Sequence, residues 1–153
     1  MTRKKIAILV SSAVVLAVLG AGIAQLNTHP FQGEATFVTE VNSVRANLPA
    51  LRDDPALSTI AGYKCNDMVA GNYFSHTDPE GKYVWERYAA QLGPYKAVGE
   101  NLAKGYKSAT ETVQKWMLSE SHKKNILDAR FHRVGHYTCK TGSTYMTVQL
   151  FAD

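Results

Sequence analysis

Four short stretches carry the residues most able to do chemistry: Phe74-Ser75-His76, Gly99-Glu100-Asn101-Leu102-Ala103, Trp116-Met117 followed by Ser119 and His122, and Asn125-Ile126-Leu127. An imidazole can act as a proton carrier near neutral pH or as a metal ligand, and a carboxylate can orient it. Taken one at a time none defines a site, because a single loop histidine is usually a surface or hydrogen-bonded residue. The nearest hydroxyl nucleophile, Ser119, stands three residues before His122, and no Gly-x-Ser-x-Gly elbow is present. Two cysteines, Cys65 and Cys139, complete the reactive set.

The compartment follows from the start of the chain. Arg3, Lys4 and Lys5 precede an apolar and small-residue run from Ile6 to Ala24, and polar residues begin at Gln25. That order is the pattern of a secretory signal, and Gly22 and Ala24 suit cleavage after Ala24. The alternative is a retained anchor, since a spanning helix needs roughly 20 apolar residues. We therefore read residues 1–24 as signal peptide or N-terminal membrane anchor, 25–33 as a linker, and 34–153 as one domain. Either way the domain lies outside the cytoplasm, secreted or held at the outer face of the membrane, and touches the membrane only through an uncleaved leader. Export to an oxidising compartment predicts that Cys65 and Cys139 pair, against the alternative of two buried thiols.

Charge excludes one class of partner. Taking Arg3, Lys4 and Lys5 from the 17 basic residues leaves 14 against 13 acidic ones. This near balance gives no basis for a nucleic-acid partner, which would call for a clustered basic excess.

The elements that must hold these residues can be read from periodicity. Phe37, Val41, Val44 and Leu48 recur at helical spacing within 34–48. Asp54-Pro55 starts a second helix with a stripe of Leu57, Ile60, Ala61, Cys65, Met68 and Val69, and Gly71 is placed to adopt a left-handed cap. Residues 73–82 are loop material, and 83–92 form a short helix stopped by Gly93 and Pro94. Ser108 and Glu111 form a capping-box pattern, and the helix they open continues through 119–127. Segments 133–139 and 145–151 read as a β-hairpin around 140–143. Helices first and strands last predict an α+β domain with helices on an antiparallel sheet.

In this order the motifs resemble the bacterial branch of the CAP superfamily, named for cysteine-rich secretory proteins, antigen five and pathogenesis-related proteins. The resemblance spans nearly all of 34–153 and includes Asn42, Arg45, Leu57, Ala61, the four stretches above, Val134-Gly135 and the strand 148–151. It implies a three-layer α-β-α sandwich with a cleft in which His76, Glu100 and His122 match the family's two histidines and a glutamate. It also implies that His76 and His122 can bind a divalent metal, Zn²⁺ in some relatives. Two imidazoles with water suit that ion but make a weak site. Many eukaryotic members carry a second glutamate three residues after the tryptophan. Ser119 stands there, and Glu120, turned by about 100 degrees on a helix, does not inherit the role. Ser119-Glu120-Ser121 replaces the usual bacterial turn before His122, and His136 occupies a strand position that is commonly small or aliphatic. We leave His136 outside the site as a half-buried side chain.

The resulting expectation is a non-catalytic cell-envelope binding module whose cleft takes a lipid, glycan or peptide ligand. The alternatives are a metal-assisted or His/Glu general-base hydrolase, and a purely structural polar network.

Overall fold

The computed structural model describes residues 36–153. The leader, the linker and residues 34 and 35 lie outside the described residues. Six helices and four strands follow in the order α1 (Phe37–Val44), β1 (Arg52–Asp53), α2 (Pro55–Ala70), α3 (Val84–Arg87), α4 (Ala89–Leu92), β2 (Val98–Lys104), α5 (Ala109–Met117), α6 (Glu120–Ile126), β3 (Arg133–Thr141) and β4 (Thr144–Ala152). The sheet order is β1-β3-β4-β2, with antiparallel pairing except for the parallel contact of β1 with β3.

Local chemistry explains the helix starts. Thr36 accepts from the Thr39 amide at 3.2 Å, and Asp54 Oδ1 accepts from the amides of Ala56 and Leu57 at 2.8 and 3.3 Å, with Pro55 pre-set in the first turn. The Ser108 hydroxyl accepts from the Glu111 amide at 3.0 Å, but the Glu111 carboxylate reaches the amide of Lys107 rather than that of Ser108, so the capping box closes one residue early.

Several expectations are corrected. The first helix stops at Val44, and Ala46 at φ 42 turns the chain away. Gly71 does not take the left-handed cap; its φ is −84, and Asn72 at φ 50 makes the turn instead. Gly71 is required for space, because a Cβ there would lie 2.9 Å from the Tyr73 ring. The helix opened by Ser108 does not continue through 127. It ends at Met117, and Ser119, extended at φ −101 and ψ 122, separates it from α6. Segment 83–92 is two single turns, α3 and α4. Strands β1 and β2 have no counterpart in the sequence reading, and the hairpin turn narrows to Gly142 and Ser143, with Gly142 at φ 60.

Two apolar clusters lie on opposite faces of the sheet, which makes the three layers. Leu57, Ile60, Ala61, Cys65 and Met68 of α2 pack on Leu102, Cys139, Met146, Val148 and Leu150. On the other face Phe37 and Val41 of α1, Val113 and Trp116 of α5 and Ile126 of α6 pack on Ala103, Val134 and Phe151. Cys65 and Cys139 are bonded, with Cα atoms 6.0 Å apart, and join α2 to β3. His136 is half-buried on the face of Val134, 4.9 Å from the Phe37 ring between centroids.

The α2 layer sits very close to β3 at Gly135. A Cβ there would fall 2.3 Å from the Ser58 amide nitrogen, a backbone atom that cannot swing aside. Gly135→Ala is therefore expected to lower the unfolding free energy by roughly 1–3 kcal/mol as α2 is pushed off the sheet. Urea denaturation measures this, and an unchanged midpoint would contradict the close approach.

Candidate functional site

The site lies along the free edge of β2, the last strand of the sheet on that side. Strand alternation sends successive side chains to opposite faces. Glu100 and Leu102 face the α2 layer, and Asn101 and Ala103 face the layer of α5 and α6. The loop after α2 brings His76 to one side of this edge, and α6 brings His122 to the other.

Two backbone carbonyls of the edge are met by side chains. Asn125 Nδ2 donates to the Glu100 carbonyl at 3.0 Å and to Asn101 Oδ1 at 2.9 Å. Trp116 Nε1 donates to the Leu102 carbonyl at 3.0 Å. Asn101 Nδ2 reaches the His122 carbonyl at 3.3 Å and Gln149 Oε1 at 3.4 Å. Trp116 and Asn125 thus fix α5 and α6 against β2, and His122, at the third position of α6, is placed by that docking. Its ring centroid lies 6.3 Å from that of Trp116.

His76 Nδ1 lies 2.6 Å from Glu100 Oε1. An ionised carboxylate can only accept, so the contact is an Nδ1–H donation to Glu100, and it leaves the Nε2 edge of the ring for other partners. Exposure divides the pair: the His76 side chain is 50 % exposed and that of Glu100 1 %. Glu100 Oε2 is buried and has no hydrogen-bond partner among the described residues. A buried carboxylate needs compensation, and Lys64 contributes to it. Its ammonium, on a residue 3 % exposed, donates to the His76 carbonyl at 3.1 Å and lies 5.1 Å from the Tyr73 ring centroid. Burial pulls the Lys64 ammonium below the usual lysine range, opposed first by Glu100 and then by Asp67 and Asp78.

Lys64 is absent from the sequence reading, although a signal exists. It stands seven residues after Leu57, four after Ile60 and three after Ala61, on the buried stripe of α2, where a lysine requires an explanation. Ser119 lines the cleft beside His122, and its hydroxyl lies 3.3 Å from that of Ser121. Glu120 is exposed in the first turn of α6.

His122 is held toward its neutral form, first by burial and then by repulsion from His76. A histidine with a depressed folded-state pKa binds fewer protons folded than unfolded. Its contribution to stability is complete above the unfolded value of about 6.5 and is lost as pH falls from there through the lower folded value. Stability is therefore expected to drop as pH falls below about 6.5, and His122→Asn is expected to flatten that limb. Thermal melts of both proteins from about pH 7.5 to about pH 5 span this window and provide the comparison; parallel curves would remove His122 from the effect.

The donor set permits a metal only in a limited form. Among the described residues no group of three or more His, Cys, Asp or Glu side chains is arranged to hold one. Zinc would have two protein nitrogens, from His76 and His122, and the Glu100 contact to Nδ1 is the kind of outer bond that orients a ligating imidazole.

This fold defines an α-β-α sandwich domain in which the His76–Glu100 pair and His122 flank the edge strand β2. The chain belongs to the cysteine-rich secretory protein (CAP) family, whose model matches residues 38–151; members of that family are mostly extracellular. It is 34 % identical over 115 residues to the uncharacterized protein YkwD of Bacillus subtilis (strain 168), a match covering 75 % of this chain and 45 % of that protein. Among solved structures, an extracellular protein containing a SCP domain from Bacillus anthracis str. Ames shares 29 % identity at a TM-score of 0.66, over 76 % of this chain and 38 % of that one. An outer surface protein from Borrelia burgdorferi has the same fold, with a TM-score of 0.69 and 24 % identity over 76 % of this chain and 88 % of that one. The chain spans less than half the length of the Bacillus subtilis relative. No helix among the described residues is long and apolar enough to cross a membrane.

Proposed function

We propose that the protein is a binding module of the cell envelope, carried out of the cytoplasm by its leader, which uses the His76, Glu100 and His122 cleft to hold a lipid, glycan or peptide ligand. The observation that carries this reading is the division of exposure in the His76–Glu100 pair. A buried carboxylate fixes the ring and tautomer of a histidine whose other edge is open, so the imidazole is presented in a set orientation at little entropic cost to binding. The adjoining cleft of about 310 Å³ supplies the concave surface.

A hydrolase is the second reading, favoured by the 2.6 Å contact, which is also how a carboxylate orients a general base. The hydrogen-bond partner of the Ser119 hydroxyl is Ser121 and not a histidine that could take its proton, so in this reading the attacking group is water. Zinc bound by His76 and His122 would supply a Lewis-acid contact for a ligand oxygen.

The test is titration of the protein with candidate ligands, followed by amide and imidazole NMR shifts together with mass spectrometry of the ligand. Binding that perturbs His76 and His122, is lost in His122→Ala and leaves the ligand intact supports the module. Cleavage that disappears when both histidines are replaced supports the hydrolase. Zinc titrated calorimetrically is expected to bind weakly and to lose its heat in His76→Ala. Ligands that bind equally well without either histidine would sink the assignment of this cleft.

A further inference from the structure

The cleft beside His122 has a composition unlike the rest of the domain. Its walls include Phe74 from the loop, Lys104 at the end of β2, Tyr106, Lys115 of α5 and Ser119, and no carboxylate lines it. Beyond the leader the chain is nearly balanced in charge, so two lysines facing one small concavity without an acidic neighbour are a local concentration of positive charge. Both lysines are exposed and neither forms an ion pair with a described carboxylate. Phe74 is 40 % exposed, unusual for a large apolar side chain, and the Lys104 ammonium lies 5.8 Å from its ring centroid.

We propose that this cleft binds a saccharide bearing a carboxylate, a uronic acid or comparable acidic sugar. The inference rests on the binding-module reading and names its ligand class. Lys104 and Lys115 receive the carboxylate, the exposed Phe74 ring receives the apolar C–H face of the pyranose, and the hydroxyls of Tyr106 and Ser119 meet the sugar hydroxyls. The walls are mixed, apolar at Phe74, Leu102, Ala103 and Trp116 and polar or charged at Lys104, Tyr106, Lys115, Ser119 and His122. That combination matches the two-sided surface of a pyranose, whereas an acyl chain would leave the polar members desolvated and unpaired. At about 310 Å³ the cleft lies at the small end of ligand sites, which favours a short saccharide unit over a folded partner.

The protein titrated by NMR and calorimetry with trigalacturonate, maltotriose, dodecanoate and triglutamate tests this. Trigalacturonate is expected to bind and to shift Phe74 and His122, to weaken as salt rises, and to bind at least about tenfold tighter than maltotriose. Lys104→Met and Lys115→Met are each expected to weaken it about fivefold. Phe74→Ala should weaken it comparably, and all three positions are exposed, so folding is retained. Equal binding of maltotriose, or indifference to both lysine substitutions, overturns the proposal. Dodecanoate or triglutamate shifting the cleft while trigalacturonate does not would overturn it too and leave the binding module standing. If no probe shifts His76, His122 or Phe74, both fall.

Discussion

Replacing Arg45 with methionine is expected to lower the unfolding free energy by about 3–5 kcal/mol, among the largest losses of any single substitution in the domain. Arg45 closes α1 and is 1 % exposed. Its Nη1 donates to the Ile126 carbonyl at 2.5 Å and to that of Asp128 at 3.3 Å, while Nε and Nη2 donate to the Pro49 carbonyl at 3.2 and 3.0 Å. One guanidinium thus satisfies the end of α6 and the loop after α1. Methionine fills much of the volume but leaves three carbonyls with fewer donors, one of them that of Ile126, the last residue of α6, where carbonyls lack intrahelical partners. Asp128 is held largely by Arg130, so what is lost is donation to carbonyls more than an ion pair. Urea melts give the number; a loss below about 1 kcal/mol would show that water replaces the guanidinium. Arg45→Lys should recover only part, because an ammonium cannot span these acceptors as a planar fork does.

Reduction of Cys65–Cys139 is the second large effect. The bond closes a sequence separation of 74 residues, and the loop-entropy relation assigns about 4 kcal/mol to such a cross-link. It also joins the centre of α2 to β3, the same contact that Gly135 permits by its lack of a side chain. Melting with and without dithiothreitol should show a clear loss for the wild type. Cys65→Ala with Cys139→Ala should melt lower and be indifferent to reductant. A reduced wild type as stable as the oxidised one would mean that packing alone holds the layer.

How far the sequence revealed this protein differs by element. Asp54-Pro55 and the β3–β4 hairpin were legible because their signals are local: a capping carboxylate beside proline, and β-branched and aromatic runs about a glycine turn. Strand β2 was not, because Val98–Lys104 carries Gly99, Glu100 and Asn101, and its polar side chains are buried by partners distant in sequence. The division of α5 from α6 was missed for a related reason. Leu118, 83 % exposed, continues an apolar pattern without any core to face, and only the extended Ser119 reveals the break. For the site, family resemblance pointed to His76, Glu100 and His122. The structure pairs the first two directly and places His122 against the same strand through the Asn101 contact to its carbonyl. Lys104 and Lys115 carry no signal in sequence, since a lysine in a helix or at a strand end ordinarily lies in solvent; Lys64 carries one only through its place on the apolar stripe of α2.

The donation of Trp116 and Asn125 to the open carbonyls of β2 reaches beyond the site. A strand from another molecule joins a sheet by offering its amides to carbonyls such as those of Glu100 and Leu102. Here an indole and a carboxamide already occupy them. At the opposite margin β1 is only Arg52 and Asp53, too short and too charged to template another strand. The side chains that set His122 in place therefore also obstruct strand addition along β2, so a change that loosens the cleft at Trp116 or Asn125 also bares two acceptors to a passing strand.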